Sequence, residues 1–243
     1  RNEGAAGRIM TAWQRFGPHC YSTIEEVYQG LKHKHAHSVV ICGESGAGKT
    51  VTNAKMLGYL LDIGSSSEQQ RAEATAQRDM HRSVSFAVAV EHRKLQLQAS
   101  NELLEYFGNA KTTRNDNSSR FGKYSQLYFE GDPAVVCGLK IDHYLLERSR
   151  VVSIPNGERN YHVMHMLGAV EKERLKQEGK QKSFEYLVQG ESINKACGAK
   201  FEDAKMFEEL TELMAEAGFD DKAQTALFDS IKGCLYLGNI DSE

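Results

Sequence analysis

One octapeptide constrains the fold of this chain more than any other segment. It reads Gly43-Glu44-Ser45-Gly46-Ala47-Gly48-Lys49-Thr50 and satisfies the pattern G-x-x-x-x-G-K-S/T. Before it, residues 38–42 form a β-branched run, and after it Ala54, Leu57 and Leu61 are spaced along one face of a helix. This order predicts a fully buried strand, a glycine-rich turn and an amphipathic helix.

The residue types of this turn indicate its chemistry. Glycines tolerate positive φ and the close approach of backbone N–H groups to an anion, and the N-terminus of the following helix points at the same place. Lys49 can then reach the β and γ phosphates of a nucleotide, and the Thr50 hydroxyl can coordinate Mg²⁺. We therefore interpret residues 43–50 as a phosphate-binding loop, although the motif alone names neither the nucleotide nor the reaction.

Composition excludes several classes of protein. The 243 residues carry a formal net charge of −3, which gives no general attraction to nucleic acid or to an anionic membrane. No apolar run approaches the roughly 18 residues of a transmembrane helix, and the charged N-terminus lacks the apolar stretch of a signal peptide. Five scattered cysteines without a CxxC pair fit free thiols in a reducing compartment better than a disulfide framework. We expect an intracellular α/β or α-rich protein.

The remaining organisation is read from local patterns. Residues 64–82 are small, polar and charged and predict an exposed, mobile surface loop. Two β-branched and aromatic segments, 123–130 and 134–147, flank Gly131-Asp132-Pro133 and predict a hairpin. The pattern from residue 160 to 243 is mostly helical.

Two helices near the end of the chain have recognisable caps. Gly218 lies where a C-cap would end the first, and Asp220 or Asp221 would cap the second. The chain begins without a methionine and stops just after the second helix, so we expect it to be a piece of a longer protein.

A second polar segment precedes the predicted hairpin and reads Asn115-Asp116-Asn117-Ser118-Ser119-Arg120. A γ-phosphate sensor needs such groups, because a hydroxyl can complete the Mg²⁺ shell, an amide can hold a phosphate oxygen and an arginine can hold the loop closed. Alone, the segment would indicate a hydrophilic surface turn. Together with the phosphate loop, the segment is better interpreted as a γ-phosphate sensor.

These segments resemble the motor domain of a myosin. The similarity rests on GESGAGKT, on NDNSSRFGK and on four further stretches in the family's order, LLEYFGNAKT, LLERSRVV, GERNYH and LGNI, at 103–112, 145–152, 157–162 and 237–240. A kinesin motor also pairs a phosphate loop with N-x-x-S-S-R. However, Ser-His follows the arginine in kinesins, whereas Phe121 and Gly122 follow it here.

The resemblance implies a P-loop NTPase of α/β class, with a mixed twisted β-sheet flanked by helices and including the hairpin of residues 123–147. The chain would be the ATP-binding part of a cytoplasmic, cytoskeletal motor that couples Mg-ATP hydrolysis to force on actin filaments. Actin would bind mostly through regions absent from this sequence, and light chains or calmodulin would bind to an absent lever. Alone, the fragment would lack a full cycle.

Roles for the phosphate loop also follow from the resemblance. All of residues 43–50 would bind ATP. Gly46, Gly48 and Lys49 would hold the β and γ phosphates, and Thr50 would be a Mg²⁺ ligand.

Residues 115–122 would be the family's switch I. Asn115 would contact the phosphates, and Ser119 would supply the second protein hydroxyl on Mg²⁺. Ser118 would contact the γ-phosphate and the attacking water, while Arg120 would pair with a glutamate of a second switch. The catalytic candidates are therefore Ser118, Ser119 and Arg120.

The sequence departs from the family pattern in three places. Val51 replaces a glutamate, Ala99-Ser100-Asn101 lacks the usual Asn-Pro, and no D-x-x-G-F-E second switch is present. Arg120 is therefore expected to have no partner in this chain. These departures leave an alternative open, which is a P-loop scaffold or regulatory module that binds a nucleotide without motor activity.

Overall fold

A computed structural model describes residues 18–31, 36–76, 95–96, 99–131, 134–180, 183–198 and 200–240. The chain divides into two compact units. The first unit comprises Arg1–Lys94 and Gln126–Lys140, and the second comprises Leu95–Ser125 and Ile141–Glu243. The phosphate loop belongs to the first unit and the switch segment to the second.

The first unit is built on two helices, α1 (Cys20–Leu31) and α2 (Lys49–Ala76). They pack through buried apolar side chains, namely Ile24, Tyr28, Met56 and Leu60. The Tyr59 hydroxyl also donates to Glu25 Oε2 at 2.9 Å, which joins the two helices by a polar contact beside the apolar one. This packing fixes the helix that begins at the phosphate loop.

The strand predicted before the phosphate loop does not form. Residues 38–42 have no regular secondary structure, and the side chain of Val40 is 81% exposed. A buried strand needs neighbours that pair its N–H and C=O groups, and no strand among the described residues pairs with this segment. The prediction of a buried strand is therefore wrong for this structure.

The loop predicted at residues 64–82 is helical over most of its length. Helix α2 continues to Ala76, so the prediction is wrong for residues 64–76, and residues 77–82 lie outside the described part of the chain. Glu, Gln, Arg and Ala dominate the second half of the helix and have high helix propensity. A polar composition does not by itself end a helix.

The predicted hairpin is confirmed. Strands β3 (Gly122–Glu130) and β4 (Val135–Tyr144) are neighbours in a two-stranded sheet. Strand β4 ends three residues before the predicted residue 147, because Leu145 has a φ of 56° and a strand requires negative φ. Asp132 and Pro133, the predicted turn residues, lie outside the described part.

A second small sheet precedes the hairpin. Residues 99–108 form helix α3, followed by β1 (Asn109–Ala110), which pairs antiparallel with β2 (Ser118–Ser119). The described residues thus form two separate two-stranded sheets. The combination of helices and strands is consistent with the α/β class, and the larger mixed sheet stays a prediction.

The rest of the second unit is helical, as predicted. Its helices are α4 (His162–Gln177), α5 (Val188–Ala196), α6 (Asp203–Glu216) and α7 (Asp221–Leu237), with 3₁₀ turns at Arg148–Val151 and Glu185–Leu187. Both predicted caps form, since Gly218 has a φ of 94° and Asp220 Oδ1 accepts from the Ala223 N–H at 2.8 Å. No helix in the described residues is long and apolar enough to cross a membrane.

Helix α4 lies at the centre of this unit. Its residues 162–168 are all buried, and it packs against α6 and α7. Two of the buried residues, His162 and His165, are titratable. Burial and the nearby Arg159 guanidinium lower the pKa of His162 from 6.5 to about 4 and hold the pKa of His165 well below 6.5.

These two histidines make the stability of the second unit sensitive to acid. Their pKa values are lower in the folded state than in the unfolded state, so below about pH 6.5 the unfolded chain binds protons that the folded chain does not. The free energy of unfolding should therefore fall as the pH is lowered from 7 to 5. Each histidine contributes a slope of up to about 1.4 kcal/mol per pH unit.

Urea denaturation across this pH range tests the effect, with His165→Gln as the diagnostic variant. In this variant the free energy of unfolding should depend less steeply on pH, by the contribution of one histidine, whatever its stability at pH 7. An unchanged slope in the variant would contradict the assignment.

Candidate nucleotide-binding site

The phosphate loop has the backbone conformation that its glycines predict. Residues 43–48 lead directly into α2, which begins at Lys49. Gly46 and Gly48 both have a φ of 83°, a value that L-residues rarely adopt. A Cβ at either glycine would meet no atom within 4 Å. Conformation rather than crowding therefore demands glycine, and the space beside these backbone atoms is open to an anion.

The Lys49 side chain folds back over this loop. Its ammonium group donates to the Gly43 carbonyl at 2.6 Å and to the Glu44 carbonyl at 2.7 Å. Since a lysine ammonium has three N–H donors, one more can donate to a phosphate oxygen. Ser45 and Ala47 lie between these carbonyls and the helix, and the Ala47 N–H closes the turn on the Glu44 carbonyl at 3.2 Å.

The oxygen donors needed for Mg²⁺ are present in each segment. Thr50 occupies the first turn of α2, next to Lys49, and Ser119 is exposed on β2. Hard oxygen ligands of this kind suit Mg²⁺, which is usually held by few protein ligands together with the phosphates. The Thr50 hydroxyl in the first unit and the Ser119 hydroxyl in the second are therefore both suitable ligands for Mg²⁺.

The switch segment begins with a tight turn built by Asn115. The Thr112 N–H donates to the Asn115 carbonyl at 2.8 Å, and Asn115 Oδ1 accepts from the Asn117 N–H at 3.0 Å. The Asn115 amide nitrogen donates to the Asn117 carbonyl at 3.3 Å. The side chain that the resemblance assigns to a phosphate therefore holds the turn together in this structure.

Two lysines form ion pairs with Asp116 in the same turn. Lys111 Nζ lies 3.0 Å from Asp116 Oδ1, and Lys200 pairs with Asp116 Oδ2. Hydrogen bonds from Lys200 and Lys111 lower the pKa of the Asp116 carboxyl. Both pairs are partly exposed, so solvent screening weakens them and they add little to stability.

The two serines that follow differ in burial. Ser118 is 3% exposed, whereas Ser119 is open to solvent. This alternation follows from the pleat of β2, in which neighbouring side chains point to opposite faces. Arg120 Nη1 donates to Ser118 Oγ at 3.4 Å, so the structure brings these two catalytic candidates together.

Arg120 has a partner within this chain, contrary to the expectation from the sequence. Its Nε donates to Glu147 Oε2 at 2.6 Å. The backbone joins the same two residues, since the Glu147 N–H donates to the Arg120 carbonyl at 3.0 Å. Sequence reasoning missed Glu147 because it looked for a carboxylate in a second switch. The available signal was the glutamate of LLERSRVV, which follows directly after the hairpin.

Glu147 is shared between two arginines. Arg150, which is 1% exposed, donates from Nε to Glu147 Oε2 at 2.7 Å and from Nη2 to Glu158 Oε2 at 2.6 Å. Partial burial alone would raise the pKa of Glu147, but the hydrogen bonds from Arg150 and Arg120 lower it. The carboxylate therefore stays charged and holds the switch segment to the 3₁₀ turn of Arg148–Val151.

The comparisons with known proteins decide the family. A family model described as myosin head (motor domain) matches residues 10–243. The chain belongs to this family. It is 36% identical over 228 residues to Myosin-4 of Saccharomyces cerevisiae and 35% identical over 229 residues to Myosin-52 of Schizosaccharomyces pombe. It is also 35% identical over 230 residues to the Myosin IA heavy chain of Dictyostelium discoideum.

These matches cover 92% of the present chain but only 14% of the two yeast myosins and 21% of the Dictyostelium myosin. The sequence resemblance to a myosin motor domain is therefore confirmed, and this chain spans a small part of the length of its relatives. The phosphate loop and the switch segment both lie within the matched residues. They belong to different units, so a single myosin site formed by both stays a proposal.

Val51, one of the departures from the family pattern, has no packing role that would require valine. It lies on the first turn of α2 and is 58% exposed. A glutamate at this position would meet solvent as readily.

The shared carboxylate predicts the cost of removing its charge. Glu147→Gln leaves the buried Arg150 with one carboxylate and Arg120 without its ion-pair partner. Loss of one partner from a buried, charge-assisted network should lower the free energy of unfolding by about 2 kcal/mol. Urea denaturation at pH 7 measures this change.

Glu173→Gln is the matched control. Glu173 is 62% exposed and lies 3.8 Å from Lys176, so the change should be under about 0.5 kcal/mol. Equal effects for both variants would show that Glu147 stabilises nothing beyond an ordinary surface pair.

Proposed function

We propose that this chain is the ATP-binding part of an actin-based motor that couples Mg-ATP hydrolysis to force on actin filaments. One observation carries the proposal. A chain of the myosin motor family combines a phosphate loop with positive φ at Gly46 and Gly48 and a switch segment whose Arg120 is held in an ion pair. The first feature suits phosphate binding, and the second suits a loop whose closure responds to the nucleotide.

In the first unit, residues 43–50 bind the nucleotide. The N–H groups of Gly46 and Gly48 and the ammonium of Lys49 hold the β and γ phosphates, and Thr50 is a Mg²⁺ ligand. The two bonds from Lys49 to loop carbonyls support this role, because they place its charge over the loop. Mg²⁺ held by Thr50 would neutralise charge on the transferred phosphoryl group.

In the second unit, Asn115, Ser118, Ser119 and Arg120 complete the chemistry. Ser119, exposed on β2, is the second Mg²⁺ ligand. Ser118 contacts the attacking water and the γ-phosphate. Because Ser118 is buried in this structure, its side chain must become accessible for this role. Asn115 exchanges its turn hydrogen bond for a phosphate oxygen. Arg120 holds the switch in place through a carboxylate.

The proposed partners of the intact protein are those expected of a myosin. Actin filaments, and light chains or calmodulin on a lever, bind to parts of the motor outside these 243 residues, and the motor works in the cytoplasm on the cytoskeleton. The chain spans 14–21% of three myosins to which it is similar. We therefore expect the 243-residue chain alone to hydrolyse ATP slowly or not at all.

Two observations favour a second candidate function, a nucleotide-binding scaffold or regulatory module without motor activity. Val51 replaces the family's glutamate beside the Mg²⁺ ligand Thr50, and the Asn115 side chain is used inside its own turn. Such a module would bind nucleotide, but actin would not change its turnover.

Nucleotide binding is tested by Lys49→Ala. Loss of charge-assisted contacts to two phosphates should weaken MgATP binding by about 100-fold, which corresponds to about 3 kcal/mol. Titration with a fluorescent ATP analogue measures the dissociation constant. Lys55→Ala is the control, because Lys55 is an exposed lysine on the same helix, and its affinity should equal that of the unmodified protein. An unchanged affinity in Lys49→Ala would overturn the assignment of the loop.

A further inference from the structure

Asn117, which the roles above leave unused, is held from two sides. Its Oδ1 accepts a hydrogen bond from Asn109 Nδ2 at 3.1 Å and lies 3.2 Å from His162 Nε2. Asn117 itself is exposed, but Asn109 is 1% exposed and His162 is 3% exposed. The exposed turn of the switch is thus joined to two buried side chains behind it.

The chemistry of the three groups fixes the direction of these bonds. The Asn117 oxygen has two lone pairs and no proton, so both partners donate to it. His162 therefore carries its proton on Nε2. Burial and the Arg159 charge lower the pKa of His162 to about 4, which keeps the ring neutral and this tautomer available near neutral pH. Its Nδ1 has no hydrogen-bond partner among the described residues.

His162 packs against Phe201, which Arg159 also contacts. Arg159, which is fully buried, donates from Nη2 to both oxygens of Asp203 at 2.9 and 2.7 Å, and this ion pair joins the segment just before α4 to the first residue of α6. The Arg159 guanidinium lies 4.4 Å from the centre of the Phe201 ring, and the His162 ring lies 5.8 Å from the same ring. A side chain packed in this way can define the position of a loop that it contacts.

Asn109 holds the switch through the backbone as well. It is the first residue of β1, where it pairs with Ser119 across the antiparallel ladder. The next pair joins Ala110 to Ser118. Asn109 therefore contacts Asn117 with its side chain and lies opposite Ser119 along its main chain.

We propose that His162 and Asn109 are positioning residues that hold Asn117 and thereby fix Ser118 and Ser119 for the hydrolysis step. This inference rests on the proposed function, since it concerns the same switch. Asn117 immediately precedes the two serines, so a shift of its side chain moves their hydroxyls. A displacement of about 1 Å in a reacting group can cost about 100-fold in rate.

The test measures single-turnover hydrolysis of MgATP by the motor that contains this chain. His162→Phe keeps a ring but removes the donor, and it should slow the hydrolysis step by roughly 10- to 100-fold. The affinity for MgATP should change less than threefold, because the phosphate loop is intact. His162→Gln retains an N–H donor and should recover most of the rate.

His165→Phe is the matched control. His165 is also a buried histidine of α4, 2% exposed, but it makes no contact with Asn117 among the described hydrogen bonds. This variant should lose stability comparable to that of His162→Phe while its hydrolysis rate is retained. Equal losses of rate in both variants would assign the effect to general destabilisation and overturn the proposal.

Asn117→Ala keeps the proposal testable if His162→Phe does not fold. Asn117 is exposed, so its truncation opens no cavity in the core. It removes the acceptor of the buried Asn109 and His162 donors, and the hydrolysis step should slow as in His162→Phe. Unchanged hydrolysis in Asn117→Ala would overturn the positioning role.

The outcomes separate this inference from the proposed function. If Lys49→Ala loses MgATP but Asn117→Ala and His162→Phe hydrolyse it at the unmodified rate, only the positioning role fails. If the unmodified motor neither binds nor hydrolyses MgATP, the proposed function fails and the positioning role with it.

Discussion

In the second unit, the carboxylate of Glu147 holds the switch segment against the chain that follows β4. It accepts hydrogen bonds from Arg120 in the switch segment and from Arg150, whose side chain is almost fully buried. Its backbone carbonyl accepts from the Tyr161 hydroxyl at 2.7 Å. Arg150 continues the cluster to Glu158. A buried guanidinium is tolerated only where carboxylates compensate it, so the end of β4, the switch and the start of α4 are fixed relative to one another.

This arrangement explains how a short exposed segment is kept in place for chemistry. Ser118 and Ser119 form a strand of only two residues, too short to be stable by itself. Arg120 anchors it on one side through Glu147, and Asn117 anchors it on the other through buried side chains. The strand is therefore held at both ends while Ser119 stays exposed. A loop that changes with the nucleotide needs such defined, breakable contacts.

Local sequence signals predicted some local structures correctly, although the polar composition of residues 64–76 wrongly predicted a loop where α2 continues. The positive φ of Gly46 and Gly48, the cap at Asp220 and the hairpin all follow from residue types within a few positions. Long-range features could not be read in this way. The partner of Arg120 lies 27 residues away, and the strand expected at residues 38–42 requires neighbours that no local pattern supplies. The family resemblance named the switch residues, but it gave no role to Asn117.

The proposed motor and a static nucleotide-binding module differ in how actin filaments affect MgATP turnover. Steady-state MgATP turnover by the intact protein that contains this chain, with and without actin filaments, tests this difference most directly. For a motor, we expect turnover that actin filaments accelerate at least severalfold and that Lys49→Ala abolishes. MgATP binding with turnover that actin leaves unchanged would contradict the motor and support the module.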